Sequence, residues 1–256
     1  MPAIVACYKW VPDEEGIRIG DDRSVDISRA RWEIGSFDRS AIEAAVQATE
    51  ASGWTPVTLT YGGEGVEKSL KDALSRGPEK GYWVASDQQD QADGRATSKV
   101  LAAAAHTLDD VRLVVCAEGA SDTYARQVGP RLGVCLGWPA VTSVLSFELG
   151  EDSATVVRKL EDTLQTVEVQ LPCVLCVLPE GFEPRVPGLK AIMAANRKPK
   201  ERIDAADLGA DEAPLAERVS LEGFAMARKN LVIAEDDPAV AARELVAALH
   251  KEGVLS

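Results

Sequence analysis

The stretch LVVCAEGASDTYARQVGPRLG, residues 113–133, decides the fold. An apolar run from Leu113 to Cys116 stops at a polar segment in which Gly119 frees a turn and Ser121 and Thr123 offer hydroxyls. A helix is expected to begin near Asp122 and to run from Thr123 to Leu136. The same order recurs upstream: Ala3–Tyr8, Val57–Tyr61 and Tyr82–Ala85 are short apolar runs, and helical patterns cover Asp38–Glu50, Gly65–Leu74 and Arg95–Leu108. Strands alternating with helices of this length pair in parallel through right-handed crossovers, and strands apolar at every position belong to a sheet covered on both faces. The expectation is a doubly wound α/β domain with a mainly parallel sheet.

After Gly137 the rhythm changes. Val141–Phe147, Ala154–Leu160 and Thr166–Val169 read as shorter strands, the last two joined by a polar turn at Glu161–Thr163, and Leu171–Leu178 is a final apolar strand. From Glu201 onward Ala, Asp and Gly dominate, with little strand or helix periodicity, until a closing helix. Asp237 suits its cap, Pro238 its first turn, Ala241, Leu245, Ala248 and Leu249 one apolar face, and Gly253 its end. The expected division is residues 1–200 as one α/β domain, with a loop at 183–199, and residues 201–256 as an arm. The residues alone leave open whether that arm folds back on its own sheet or packs on another chain.

Composition narrows the function. A chain of 256 residues buries enough surface for a core without disulfides, and its five cysteines are an odd count. Met1–Trp10 enters a strand-like run with no basic leader or cleavage site, so a reducing cytoplasm is expected. No apolar run approaches the roughly 20 residues of a membrane span. A formal charge of −13 disfavours nucleic acid or an anionic bilayer as the main partner, and a phosphate would have to be held locally against that field.

Two histidines, His106 and His250, have no nucleophile or ligand partner nearby in sequence and read as structural. Cys173 and Cys176 have redox or zinc spacing, but they lie in an apolar strand, where positions i and i+3 point to opposite faces. Neither a disulfide nor a shared metal is expected. The better signal is a helix start after a central strand, which binds anions through its N–H groups and dipole. If the sheet follows the flavodoxin-related or nucleotide-hydrolase order, the first strand lies beside the fourth, and the crevice between them is a topological switch point. It would gather Ala6–Lys9, Gly35–Asp38 and Tyr61–Gly63 at one mouth.

A second stretch, EPRVPGLKAIMAANRKP at 183–199, reads as a stiff outward loop, because Pro184 and Pro187 lack amide donors and bias their neighbours to extended geometry. Helix formers follow from Lys190 to Asn196. Leu189, Ile192 and Met193 form one short apolar face, closed by Arg197, Lys198 and Lys200. Pro184, Arg185, Leu189, Ile192, Met193 and Lys198 fall on the recognition-loop pattern of the electron transfer flavoprotein beta subunit family, which this segment resembles. The resemblance extends along most of the chain through CYKWVPDEE, SFDRSAIEAAVQ, LSRGP and DTYARQVGP, on Tyr8, Val11, Pro12, Asp13, Phe37, Asp38, Ala41, Glu43, Gln127, Val128 and Gly129. The Ser-Asp-x-Tyr-Ala-x-Gln-Val-Gly segment is most similar to the Fix-type bacterial branch, associated with acyl-CoA or carnitine metabolism.

The resemblance implies an adenine-nucleotide-binding, nucleotide alpha-hydrolase-like sheet and an electron carrier rather than an enzyme. It implies an alpha subunit that shares an FAD and is embraced by the arm, and an acyl-CoA-type dehydrogenase docked through Leu189, Ile192 and Met193. It further implies AMP or a second FAD in the crevice, at Cys7, Gly35, Ser36, Phe37, Asp38, Tyr61, Ala117, Gly119, Ser121, Asp122, Thr123, Tyr124, Gln127 and Val128. Neither a metal nor a catalytic residue is expected. The chain departs from the family at Thr123–Ala125, where acidic or small residues are usual, at Lys159, where many members carry glutamate, and at Glu14, where tyrosine is common. Two rivals share the architecture. An adenylating enzyme would need a Gly-rich loop where Tyr8–Pro12 stands, and a free nucleotide sensor would leave the arm and the proline-bracketed loop without a role.

Overall fold

The computed structural model describes residues 1–88, 91–224 and 229–255. They form two units, residues 1–18 with 25–221 and residues 19–24 with 222–256. The first unit opens with β1 (Ala3–Cys7), the short strand β2 (Trp10–Pro12) and an excursion bearing β3 (Arg18–Ile19), whose second residue belongs to the other unit, and β4 (Val25–Asp26). Then come β5 (Trp32–Ile34), α1 (Ser36–Ser52), β6 (Thr55–Gly62), α2 (Ser69–Ser75), β7 (Lys80–Ala85), α3 (Gly94–Thr107), β8 (Val111–Ala117) and α4 (Val128–Leu136). The strands β9 (Ala140–Leu149), β10 (Ser153–Lys159), β11 (Leu164–Gln170) and β12 (Cys173–Val177) lead to α5 (Leu189–Ala195) and β13 (Lys200–Asp204).

Nine strands make one sheet in the order β11-β10-β9-β12-β8-β1-β6-β7-β13. From β9 to β13 all neighbours are parallel, while β9, β10 and β11 form an antiparallel meander. The chain moves from β1 outward through β6 and β7, then crosses to β8 and continues the other way to β12. The direction reverses between β1 and β8, the expected doubly wound arrangement.

Alternation along β1 shows why every residue of that strand is apolar. Ile4 and Ala6 join a core with Ala41, Ala44 and Ala45 of α1, whereas Val5 and Cys7 join a second core with Val100 and Leu101 of α3 and Leu132 of α4. Both faces are dry, so neither set of positions tolerates polarity. In the meander only one face is covered: Ala154 and Val156 of β10 are buried and Thr155 is exposed.

Two boundaries differ from the sequence expectation. The helix expected from Thr123 starts at Val128, because Tyr124 and Arg126 hold left-handed φ angles of 44° and 55°, which no helix accommodates. The division drawn at residue 200 cuts through β13, which pairs with β7 from Lys200↔Gly81 to Asp204↔Ala85. β13 has no apolar alternation to read: its residues are exposed apart from half-buried Ile203, and the charged side chains of Lys200, Glu201, Arg202 and Asp204 guard an edge.

In the second unit α6 (Pro238–Lys251) begins as expected, with the Asp237 carboxylate accepting from the Ala239 N–H and Pro238 in the first turn. No residue of α6 is buried, and Leu245 is half exposed. The Gly223 N–H donates to the Arg23 carbonyl at 2.7 Å. Among the described residues no helix is long and apolar enough to cross a membrane.

Candidate functional site

A cavity of about 550 Å³ opens at the carboxyl ends of β1 and β8, where the winding reverses. Its floor includes Cys7 from β1 and Cys116 from β8, buried neighbours on adjacent strands. A hydrogen bond from Cys7, reinforced by burial, raises the Cys116 thiol well above its ordinary pKa. Leu101, Ala117 and Val128 add apolar wall, and Tyr61 enters from the end of β6.

Two helix starts converge on the cavity. Asp93 caps α3 by accepting from the Arg95 and Ala96 N–H groups. No side chain caps α4, and its third residue, Pro130, has no N–H. The helices meet closely here: a Cβ on Gly94 would stand 2.9 Å from the Gln127 Cβ, and one on Gly129 only 2.2 Å from the Cys176 sulfur. Glycine at 129 thus lets α4 sit directly on β12, with Val128 and Gly129 of its first turn at the cavity. Cys176 is held there by packing, while Cys173 lies in the core on the other face; both are buried free thiols.

Asp38, in the first turn of α1, is the buried acid of the site. Burial pushes its carboxyl up to about 7, opposed by a hydrogen bond from the Lys9 N–H at 3.2 Å. The lysine side chain turns instead to Asp122, with which it forms an ion pair. Three arginines, Arg95, Arg126 and Arg131, supply positive charge to the lining. Arg126 sits 4.6 Å above the Tyr124 ring and pairs with Glu118, whose carboxylate also accepts from the Tyr124 hydroxyl at 2.6 Å. This network holds the two left-handed residues, each a conformation costing on the order of 1 kcal/mol or more.

Of the expected nucleotide residues, Cys7, Asp38, Tyr61, Ala117, Gly119, Thr123, Gln127 and Val128 line the cavity. Gly35, Ser36, Phe37, Ser121, Asp122 and Tyr124 stand outside its wall. Phe37 packs on the Tyr124 ring with centroids 5.3 Å apart, Gly35 caps α1, and Asp122 holds Lys9. Ser121 is exposed, lies seven positions before Val128, the first residue of α4, and is not part of the lining. Sequence reading missed Asp93, Gly94, Arg95 and Thr97 at the start of α3, together with Arg131, Leu215 and Ala216. The Asp-Gly pair at 93–94, a cap followed by a helical pattern, was the available signal for the first group.

Outside the cavity lining, the loop before α5 is braced from within. Arg185 forks onto the buried Glu43 carboxylate of α1 and also reaches Glu50. Lys198 donates to the carbonyls of Leu74, Gly77 and Pro78, so this member of the expected basic cluster closes the end of α2 rather than facing water. Leu189 and Met193 are left 75% and 64% exposed, and Ile192 is at the margin of exposure at 37%.

The lining suits a ligand that joins a flat apolar part to an anionic group. The cavity has the size and mixed lining of a small-molecule site, with apolar walls for a flat base and helix starts and arginines for phosphate. Among the described residues no group of three or more His, Cys, Asp or Glu side chains is placed to hold a metal. A family model described as electron transfer flavoprotein domain matches residues 24–208, most of the chain.

Proposed function

The chain belongs to the electron transfer flavoprotein family, and from that premise we propose that it is the beta subunit of a heterodimeric carrier. It holds AMP or a second FAD in the cavity between β1 and β8, and it completes a redox FAD site with an alpha subunit. The single observation that supports this reading best is the meeting of two helix starts and three arginines at the switch point of a sheet whose floor is apolar. Cys7, Tyr61, Ala117 and Val128 would contact the base and sugar. The first turn of α4 with Arg95, Arg126 and Arg131 would hold phosphate. A flavin supplies the electron-carrying chemistry.

The protein's own contribution is positional. Asp38 buried beside Lys9 fixes the start of α1 against the loop after β1, and Gly129 fixes α4 against β12. The exposed Leu189, Ile192 and Met193 of α5, which follows the loop braced by Arg185, would dock an acyl-CoA-type dehydrogenase. The exposed side chains of α6, Leu245 and Val246 among them, would pack on the alpha subunit. Co-expression with the alpha subunit of the same carrier should give a yellow heterodimer that releases AMP, or more than one FAD, on denaturation. A colourless single chain without nucleotide would overturn the proposal.

A further inference from the structure

One wall of the cavity comes from neither the sheet nor its helices. Beyond β13, a 3-10 turn at Ala205–Leu208 ends at Gly209, whose φ of 61° swings the chain back, and residues 210–216 then cross without regular structure. Leu215 and Ala216 of this segment line the cavity. Five contacts fasten it. Tyr61 donates its hydroxyl to the Glu212 carboxylate at 2.7 Å, and Asp211 takes ion pairs from Arg95 at 3.0 Å and Lys99 at 2.9 Å. Arg95 also donates to the Ala213 carbonyl at 3.1 Å, and the Leu215 N–H donates to Asp93 at 2.9 Å.

Every fastening residue on the body of the domain is either part of the cavity lining or one helical turn from it: Tyr61, Asp93 and Arg95 line it, and Lys99 follows on α3. The two side chains by which the segment is fastened, those of Asp211 and Glu212, are outside the lining. A chain tied this way has little buried area of its own and is held by exposed polar contacts, which marks it as an element that opens at low cost. The hydrogen bonds from Lys99 and Arg95 hold the Asp211 carboxyl down at about 2, so the fastening is intact at neutral pH.

We propose that residues 210–216 are a strap over the nucleotide cavity, and that a bound nucleotide leaves only after Asp211 and Glu212 let go of Arg95, Lys99 and Tyr61. This rests on the reading of the cavity as an adenine-nucleotide site. The strap makes a prediction whose sign separates it from simple electrostatics. Two carboxylates beside an anionic ligand repel it, so on charge alone their removal would slow release. A strap predicts the reverse.

The test uses the full chain, loaded with radiolabelled AMP and chased with excess unlabelled AMP, and compares the parent with Asp211→Ala/Glu212→Ala. Losing an ion-pair anchor and a hydrogen bond should speed release about tenfold. Amide exchange at Leu215 should slow when AMP is added to the parent, and this protection should be absent in the double variant. Release from the double variant at the parent's rate or slower, with Leu215 exchange insensitive to AMP, would overturn the strap alone. No AMP retained by the parent would overturn the nucleotide reading and the strap together.

Discussion

The guanidinium of Arg185 grips the Glu43 carboxylate through two parallel hydrogen bonds, Nε to Oε2 at 2.7 Å and Nη2 to Oε1 at 2.9 Å. The Arg185 backbone N–H donates to the same carboxylate at 3.1 Å, so one buried acid of α1 fixes both the main chain and the side chain of the loop. Burial by itself would raise the Glu43 carboxyl, but the hydrogen bonds from Arg185 and Gln47 prevail and hold it below its ordinary value. The loop can therefore present Leu189 to solvent without itself being loose.

Arg185→Lys should keep the charge and lose the fork. A destabilisation of about 2 kcal/mol is expected, below the range for a fully buried pair because Arg185 is partly in water. Urea melts would measure it. The sign with pH is fixed by the lowered Glu43 pKa: the parent's advantage is complete above the unfolded value of 4.5 and fades as pH falls below it. A variant as stable as the parent at pH 7 would show that the brace is ornamental.

Asp38 gives the opposite slope. Its folded carboxyl is raised from 3.8 to about 7, so the unfolded chain ionises first. The stability associated with this group is complete below pH 4, and is lost as pH rises to about 7. Asp38→Asn removes the titration but retains an acceptor for the Lys9 N–H. Thermal melts should show the variant gaining on the parent between pH 4 and 7, with a constant difference above. Parallel stability curves across that window would mean that Asp38 is solvated and ionised in the folded protein.

How far the residues alone carry the reading depends on what each segment does. Strands such as β1 and β8 are apolar on both faces and announce a covered parallel sheet, but their adjacency rests on analogy with doubly wound sheets until their pairing is seen. β13 could not be read that way, since it is held by backbone pairing to β7 with only Ile203 half-buried. The start of α4 is hidden because Asp122 looks like a helix cap, whereas the left-handed Tyr124 and Arg126 depend on contacts with Phe37 and Glu118 that are distant or non-helical. The segment at 210–216 carries no periodicity at all. Its place over the cavity is set by single polar contacts to residues more than 100 positions away.

The same distinction separates two truncations. Ending the chain after Leu221 keeps β13, the buried Ala205 and the whole first unit, so sheet content by circular dichroism should match the parent while association with the alpha subunit is lost. Ending it after Pro199 removes β13 and exposes the edge of β7, and that form should melt lower and self-associate in size-exclusion chromatography. If the longer truncation still forms the heterodimer, residues 222–256 are not the partner-binding arm.

Leu189 offers the cleanest separation of docking from folding. Three quarters of its surface is in water, so Leu189→Ala forfeits almost no burial within this chain, and the melting temperature should stay within a degree or so of the parent. In a dehydrogenase pocket the same truncation removes an apolar anchor already ordered by Pro184, Pro187 and Arg185. An anchor of that kind typically contributes about 2 kcal/mol, or roughly a thirtyfold change in affinity. Electron transfer from the dehydrogenase, followed by flavin absorbance in stopped flow, should need correspondingly higher carrier concentration for half-maximal rate. The rate at saturation, the flavin spectrum and the nucleotide content should be those of the parent. Full transfer kinetics with a lowered melting temperature would place Leu189 in a core and remove this loop from the docking surface.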